Sequence, residues 1–441
     1  MTKRRSLSIL LAAGLASSLA LSACGGDTKP SEGGNAADEQ VTITVFDAFA
    51  AEDPHGKYVY EYADAFMKQN PNVKVEITAI ASNDIFTKLA AMATDPSGLP
   101  TLYFTSGDQA PSLYDLGFTE DLKSHLDQAT LDGFAPGVVE GASLGDAIAF
   151  YPVAVQPLAI LYRTDRFAEA GLSQPTTWDE FLAAAKALTK DTDGDGEADQ
   201  WGFSMVGSNN SSGQSRFLSY LWSQGLKVIS QDASGAWVSD VDSPEFLKAF
   251  SFWTDMFNPE GVVPTGITSV DYPTAANYFA MGFANMMMTG GNALGVAYSS
   301  NPDLKGKIGS FPIPGASAGT MLNAEGFALS NHASDAQKKA AIDYLNFFAS
   351  NDAELKFWQS SGKIPATVKG QEAEYISGDD YKGYLETLQK GTVPVINFAG
   401  MAAVKTAMGD AYSAVFSGTS TNEEAVAKLK GDIDQILQEY N

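Results

Sequence analysis

The stretch VTITVFDAFAAEDPHGKYVYEYADAFMKQNPNVKVEITA, residues 41–79, decides the fold class. Val41 to Phe46 alternates and is β-branched, which reads as a strand. Tyr58, Tyr62 and Phe66 then fall four apart on one face of an amphipathic helix that Pro71 stops. Val73, Val75 and Ile77 alternate with polar partners as a second strand, and Asp84 to Thr94 reads as another helix. Further on, Thr177 with Glu180, Ser334 with Gln337 and Thr421 with Glu424 fit the Ser/Thr-x-x-Glu/Gln capping box. The last helix carries Val426, Leu429, Ile433, Ile436 and Leu437 on one face. Strands interleaved with helices, without an internal repeat, predict an α/β protein with open, mostly parallel sheets.

Working outward to the N-terminus, Lys3, Arg4 and Arg5 precede an apolar run from Leu7 to Leu21, too short and too rich in Ala and Ser for a membrane span. This reads as a signal peptide over residues 1–23. Its ending, Leu21-Ser-Ala-Cys24, resembles the bacterial lipobox, so Cys24 is expected to be acylated and to hold the mature chain to the membrane. Residues 24–40 are nearly free of apolar side chains and read as a flexible tether. The remaining roughly 400 residues exceed one ordinary core, which predicts two lobes. Cys24 is the single cysteine, so neither a disulfide nor a thiolate metal site is expected. With 53 acidic against 28 basic residues the net charge is −25, and loss of the leader's cations makes it more negative. Such a surface repels phosphate backbones, so nucleic acid is excluded as a partner.

Asp191, Asp193, Asp195, Gly196 and Asp199 form an EF-hand-like run with the Glu197 carbonyl as a further ligand. Position twelve is Gly202, where a bidentate Glu would stand. Two readings stay open, a structural Ca²⁺ that staples the loop and an acidic surface turn. No cofactor is expected for function. Gly-x-Ser-x-Gly occurs around Ser143 and around Ser317, but neither serine stands between a strand and a helix, as a nucleophile elbow requires. His55, His125 and His332 have no metal spacing. Carboxylate pairs for glycoside hydrolysis converge in space, so spacing does not exclude them.

From Phe150 the chain reads FYPVAVQPLAILYRTDRFAEAGLSQPTTWDEFLAAAKAL. This resembles the segment with which family 1, maltose-binding-protein-like solute-binding proteins of carbohydrate ABC importers cross from the first lobe to the second. PTLYFTSGDQ (100–109) is similar to the strand and ligand loop of their first lobe, and FAMGFANMMMTGGNALG (279–295) to a strand that usually ends in a Gly-x-Trp contact. IGSFPIPG (308–315) resembles the second crossing, and AEGFALSNHASDAQKKAAIDYLNFFAS (324–350) the return. The resemblance implies a type II periplasmic-binding fold with the ligand between two lobes. It puts 41–154 and 316–361 in lobe one, and 155–315 and 362–441 in lobe two. It also implies a binding protein rather than an enzyme, monomeric, lying outside the cytoplasmic membrane, touching it only through lipid and handing sugar to ABC permease subunits.

Carried over position by position, Asp108 falls where maltodextrin-binding relatives hold a hydroxyl-binding Asp, and Gln156 where they hold a Glu. Gln214 and Arg216 fall in their lobe-two Glu-Pro-Tyr stretch. Thr105, Asn292 and Met401 stand where those relatives carry tryptophans, which argues against a maltodextrin stacked on three indoles. Phe46, Tyr151, Trp222, Tyr272 and Phe398 lie near ligand stations, and Asp47 and Glu325 complete the expected polar set. Trp253 and Trp358, on helices with apolar neighbours, are expected in the core. The polar set suggests a small or hydroxyl-dense oligosaccharide, and Arg216 leaves an acidic sugar open. A glycan-processing enzyme and a surface adhesin are the other readings.

Overall fold

The structure, a computed structural model, describes residues 40–440 apart from 53–54, 93, 108, 351, 394–395, 397 and 399. The expected signal peptide, Cys24, the tether up to residue 39 and Asp108 therefore lie outside the described residues. Two mixed sheets organise the chain. The larger runs in the order Ile364–Pro365, Tyr151–Val155, Ala324–Leu329, Leu102–Ser106, Val41–Asp47, Val73–Ala79. The smaller runs Ile308–Phe311, Ala159–Arg163, Ala284–Thr289, Trp201–Ser204. Helices cover both, giving the two-lobe α/β architecture the sequence predicts.

The expected parallel pairing holds only in part. Val41–Asp47 is parallel to both its neighbours, and Ala284–Thr289 is parallel to Trp201–Ser204. The other main-sheet pairs are antiparallel. The reason is the crossing between lobes. A strand that arrives from the other sheet starts at the shared edge and runs away from it, so Ala159 opposes Thr289 and Glu325 opposes Ser106. Local periodicity does not carry that information.

Where the chain crosses, its segments lie side by side. The Gln156 amide donates to the Asn323 carbonyl at 2.9 Å, the Leu158 amide to Thr320 Oγ1 at 2.9 Å, and the Val393 amide to the Thr320 carbonyl at 2.8 Å. The expected boundary at 361/362 falls too early, because Ile364–Pro365 pairs with the Tyr151–Val155 strand and stays in the larger sheet. After it, the helix Asp379–Lys390 packs on Ile308–Phe311 in the smaller sheet, where the Gly383 amide donates to Ser310 Oγ at 2.8 Å.

Local signals hold well. The first helix is Gly56–Gln69, and Tyr62 and Phe66 from its inner face meet Tyr344 and Phe347 of the helix Asp335–Ser350. Each such side chain contributes roughly 1.5–3 kcal/mol by burial. The second helix is Ser82–Ala91, shorter at its end than expected. All three capping boxes form. Trp253 and Trp358 are core residues, at 1% and 2% exposure.

Candidate functional site

The C-terminal ends of parallel strands and the starts of returning strands meet at one edge of each sheet, the place where open α/β folds gather ligands. On the larger sheet, Gln156 follows the strand Tyr151–Val155 and Glu325 opens the strand Ala324–Leu329. Gln156 Nε2 donates to Glu325 Oε1 at 2.7 Å, and Lys363 Nζ forms an ion pair with the other carboxylate oxygen. Both charged side chains are nearly buried, at 12% and 10% exposure. Lys363 also lies 5.2 Å from the Phe49 ring centre and 5.6 Å from that of Phe104, so the ammonium is held by a carboxylate and two π faces.

Asp47, at the end of its strand, faces inward. It is 2% exposed among Phe49, Phe104, Phe348 and Trp358, and its Oδ1 accepts the Phe49 amide at 3.0 Å. Burial pushes its carboxyl up to about 6, with the Phe49 amide and Lys363 pulling the other way.

The smaller sheet supplies the opposite wall. Its strand Ala284–Thr289 ends in Gly290 and Gly291 before the helix Asn292–Ser300. A Cβ on Gly290 would come within 3.0 Å of Gln156 Oε1 and 3.1 Å of Asn292 Oδ1, so Gln156 and Asn292 flank the same bare backbone. A Cβ on Gly291 would collide with the Gly362 carbonyl, one residue before Lys363. Glycine here lets the two walls approach.

Next to this turn lies the helix Ser211–Ser223, capped by Asn210. Gln214 is buried and donates to Asn209 Oδ1 at 2.8 Å. Arg216 is 7% exposed; its Nε donates to the Met288 carbonyl at 2.8 Å, and its Nη1 to the Ser212 carbonyl at 3.0 Å and to Ser212 Oγ. Its guanidinium sits 5.1 Å from the centre of the Tyr272 ring. Burial lowers its pKa to about 10, so it remains a cation at neutral pH.

The other expected ligand aromatics are committed elsewhere. Trp222 is 7% exposed within the hydrophobic core. Phe398 is 5% exposed, its ring against Trp237 at 4.9 Å and Tyr440 at 5.1 Å. Tyr151 is buried with its hydroxyl donating to Asn346 Oδ1 at 3.1 Å. A large ring off an α/β strand end is more readily absorbed by the core than offered to a ligand, and these three are. Lys363, Phe49 and Tyr384 were not expected. Lys363 follows a glycine turn after a helix, and Tyr384 is one of two tyrosines on the helix Asp379–Lys390, so neither carries a local signal.

In the acidic loop, carboxylate oxygens of Asp191, Asp193 and Asp195 lie within 4.8 Å of one another. That is a set three hard oxygens could offer a divalent cation. Asp199 is turned to other use, accepting the Thr192 amide at 3.1 Å and its hydroxyl at 2.6 Å, and the Glu197 amide donates to Asp195. Gly202, the twelfth position, is buried in the strand Trp201–Ser204. Neither Gly-x-Ser-x-Gly match is an elbow. Ser143 opens a two-residue strand and donates to the Val139 carbonyl at 2.7 Å, and Ser317 lies in the second crossing loop. His55 does meet a serine, Ser360, at 3.1 Å, but that hydroxyl donates to the Phe357 carbonyl in its own helix.

Comparison with known proteins decides the lineage. A family model for bacterial extracellular solute-binding proteins matches residues 50–355. The chain belongs to this family. Among solute-binding relatives, a putative binding protein of Brucella abortus (strain 2308) is 23% identical over 415 residues, covering 90% of this chain and 93% of the relative. The multiple sugar-binding protein of Streptococcus mutans is 22% identical over 375 residues, covering 80% of each chain. The structure of maltose-bound MalE3 of T. maritima aligns with a TM-score of 0.76 at 23% identity, over 91% of this chain and all of that one. The solute-binding fold is thereby shown, with a cleft wall on each sheet. Among the described residues, no helix is long and apolar enough to cross a membrane.

Proposed function

We propose that this solute-binding protein is the sugar-capturing subunit of an ABC importer. It takes a sugar or oligosaccharide between its two sheets and, as a monomer, presents the closed form to the transmembrane permease subunits. One observation carries the reading: Gln156, bonded to the Glu325–Lys363 pair on one wall, meets Asn292 of the other wall across the bare backbone of Gly290, and Gly362, next to Lys363, meets Gly291. These are amides and charged groups of the kind that pair with hydroxyls. The relatives support the ligand class, since one is named a multiple sugar-binding protein and one neighbour was solved with maltose. Capture, not turnover, is the role. A thermal-shift screen of mono- and oligosaccharides tests it, because a ligand at one hundred times its Kd stabilises the folded state by about 2.7 kcal/mol. A panel with no shift at millimolar saccharide overturns the reading, and so does a rise in reducing ends on long incubation.

In this reading Cys24 carries lipid and keeps the protein at the outer face of the cytoplasmic membrane. Cys24→Ala should then move it from membrane to soluble fraction with saccharide affinity unchanged. The Asp191, Asp193 and Asp195 cluster holds a structural Ca²⁺, away from the ligand. Chelation, or Asp193→Ala with Asp195→Ala, should lower the melting temperature by several degrees while saccharide binding persists; identical melting curves with and without chelator remove the ion.

A further inference from the structure

The buried cations of this protein are not treated alike. Among the described residues, Arg163, Arg216 and Lys363 are the positively charged side chains buried to 9% exposure or less. Arg163 is paired with Asp165 at 2.6 Å, and Lys363 with Glu325. Arg216 meets only neutral acceptors, the Met288 and Ser212 carbonyls and the Ser212 hydroxyl. A charge taken from water without an opposite charge is costly, and proteins normally pair it.

A second observation falls on the same spot. Few buried polar atoms among the described residues lack a hydrogen-bond partner, and the hydroxyls of Tyr272 and Tyr384 are two of them. Tyr384 is fully buried, its ring centre 6.2 Å from that of Tyr381, which lies against Gly291 just past the end of the strand Ala284–Thr289, and within electrostatic reach of Arg216 and Tyr272. A guanidinium, the unbonded Tyr384 phenol and the Tyr272 phenol, whose one near neighbour is the Thr289 side chain, make a set of donors at the end of the strand Ala284–Thr289, where Arg216 bonds the Met288 carbonyl. Sugar hydroxyls would use the donors and leave the charge uncompensated. A carboxylate uses both, since it is acceptor-only and takes several hydrogen bonds at once. One guanidinium with neutral neighbours suits a monoanion better than a phosphate dianion. The acidic surface, at net −25, offers no general attraction for anions, so selection for one must be local.

We propose that the ligand is a uronate-containing saccharide whose carboxylate seats on Arg216 between the hydroxyls of Tyr272 and Tyr384. This deepens the sugar-capture reading and rests on it.

Calorimetry on the full folded protein with matched trisaccharides separates the two. The probes are trigalacturonate, trimannuronate and triglucuronate, each with its methyl ester and its neutral parent sugar, and glucose 6-phosphate. At least one uronate should bind on the order of tenfold to a hundredfold tighter than its own methyl ester, which keeps the shape and removes the charge. Arg216→Gln should bring that ratio close to one. Tyr384→Phe, which removes one oxygen and keeps the ring, should narrow it several-fold, so the test stands even if Arg216→Gln fails to fold. Equal affinity for acid and ester, preference for neutral sugars, or preference for the phosphate would overturn the proposal and leave sugar capture in place. Failure of every saccharide, acidic or neutral, would sink both.

Discussion

The Glu325–Lys363 pair on one wall of the cleft and Arg216 on the other are charges removed from water, handled in opposite ways. The first wall compensates its cation internally, with a carboxylate, an amide from Gln156 and two aromatic faces. The second leaves its cation with neutral acceptors and leaves two nearby phenols unbonded. A satisfied network rigidifies the structure that holds it. An unsatisfied one keeps its interaction energy for something that arrives later. The first wall therefore offers a ligand a rigid, pre-ordered edge, and the second keeps unspent donors for it.

Breaking the pair gives the largest expected effect. Lys363→Met strands the Glu325 carboxylate and should cost about 3–5 kcal/mol in urea unfolding, with most of it regained on adding Glu325→Gln. Arg216→Met removes a charge that has no opposite charge but strands the Met288 and Ser212 acceptors, so it should cost less, about 1–2 kcal/mol. Equal losses for the two single variants would mean that Arg216 is as structural as Lys363, and the contrast would fail.

Asp47 sharpens the same comparison by pH. Its folded carboxyl titrates near 6, above its ordinary value of 3.8. The folded state therefore binds the proton more tightly than the unfolded state does. Its stabilising contribution is complete below 3.8 and is lost as pH rises through about 6. Above that, burying the ionised group costs roughly 2–3 kcal/mol. Asp47→Asn keeps an acceptor for the Phe49 amide, so it should raise the melting temperature at pH 7.5 and leave it nearly unchanged at pH 4. A difference that does not depend on pH would show that the wall carries no such cost.

The smallest effect expected is at Gln156. Gln156→Ala removes one hydrogen bond to Glu325 and, in the sugar-capture reading, one to the ligand. It should weaken saccharide affinity roughly fivefold, about 1 kcal/mol. No change would place the ligand away from the first crossing.

Much of the scaffold was legible in the chain. The strand at Val41–Asp47, the helix after it and the capping boxes at Thr177, Ser334 and Thr421 are short-range signals, and they formed as read. Strand direction was not legible, because antiparallel pairing follows from the chain returning between lobes. Gln156, Arg216, Tyr272, Asn292 and Glu325 were singled out by their place along the chain; Gln156 and Glu325 lie at strand ends of the larger sheet, and Arg216, Tyr272 and Asn292 on helices around the end of Ala284–Thr289. Lys363 and Tyr384 were missed because each matters only through partners tens of residues or more away, Glu325 for one and Arg216 with Tyr272 for the other. Trp222 and Phe398 lie near ligand stations along the chain, but packing decides where a large ring goes, and the core takes both.

Hydrogen exchange with and without a saturating saccharide tests the central claim most directly, that one ligand is held by strand ends of both sheets at once. Slower exchange is expected at amides 106–107 and 323–325 on the larger sheet together with 208–216 and 289–293 on the smaller one, in a single binding event. Protection confined to one sheet, or spread over surfaces away from these strand ends, would contradict it.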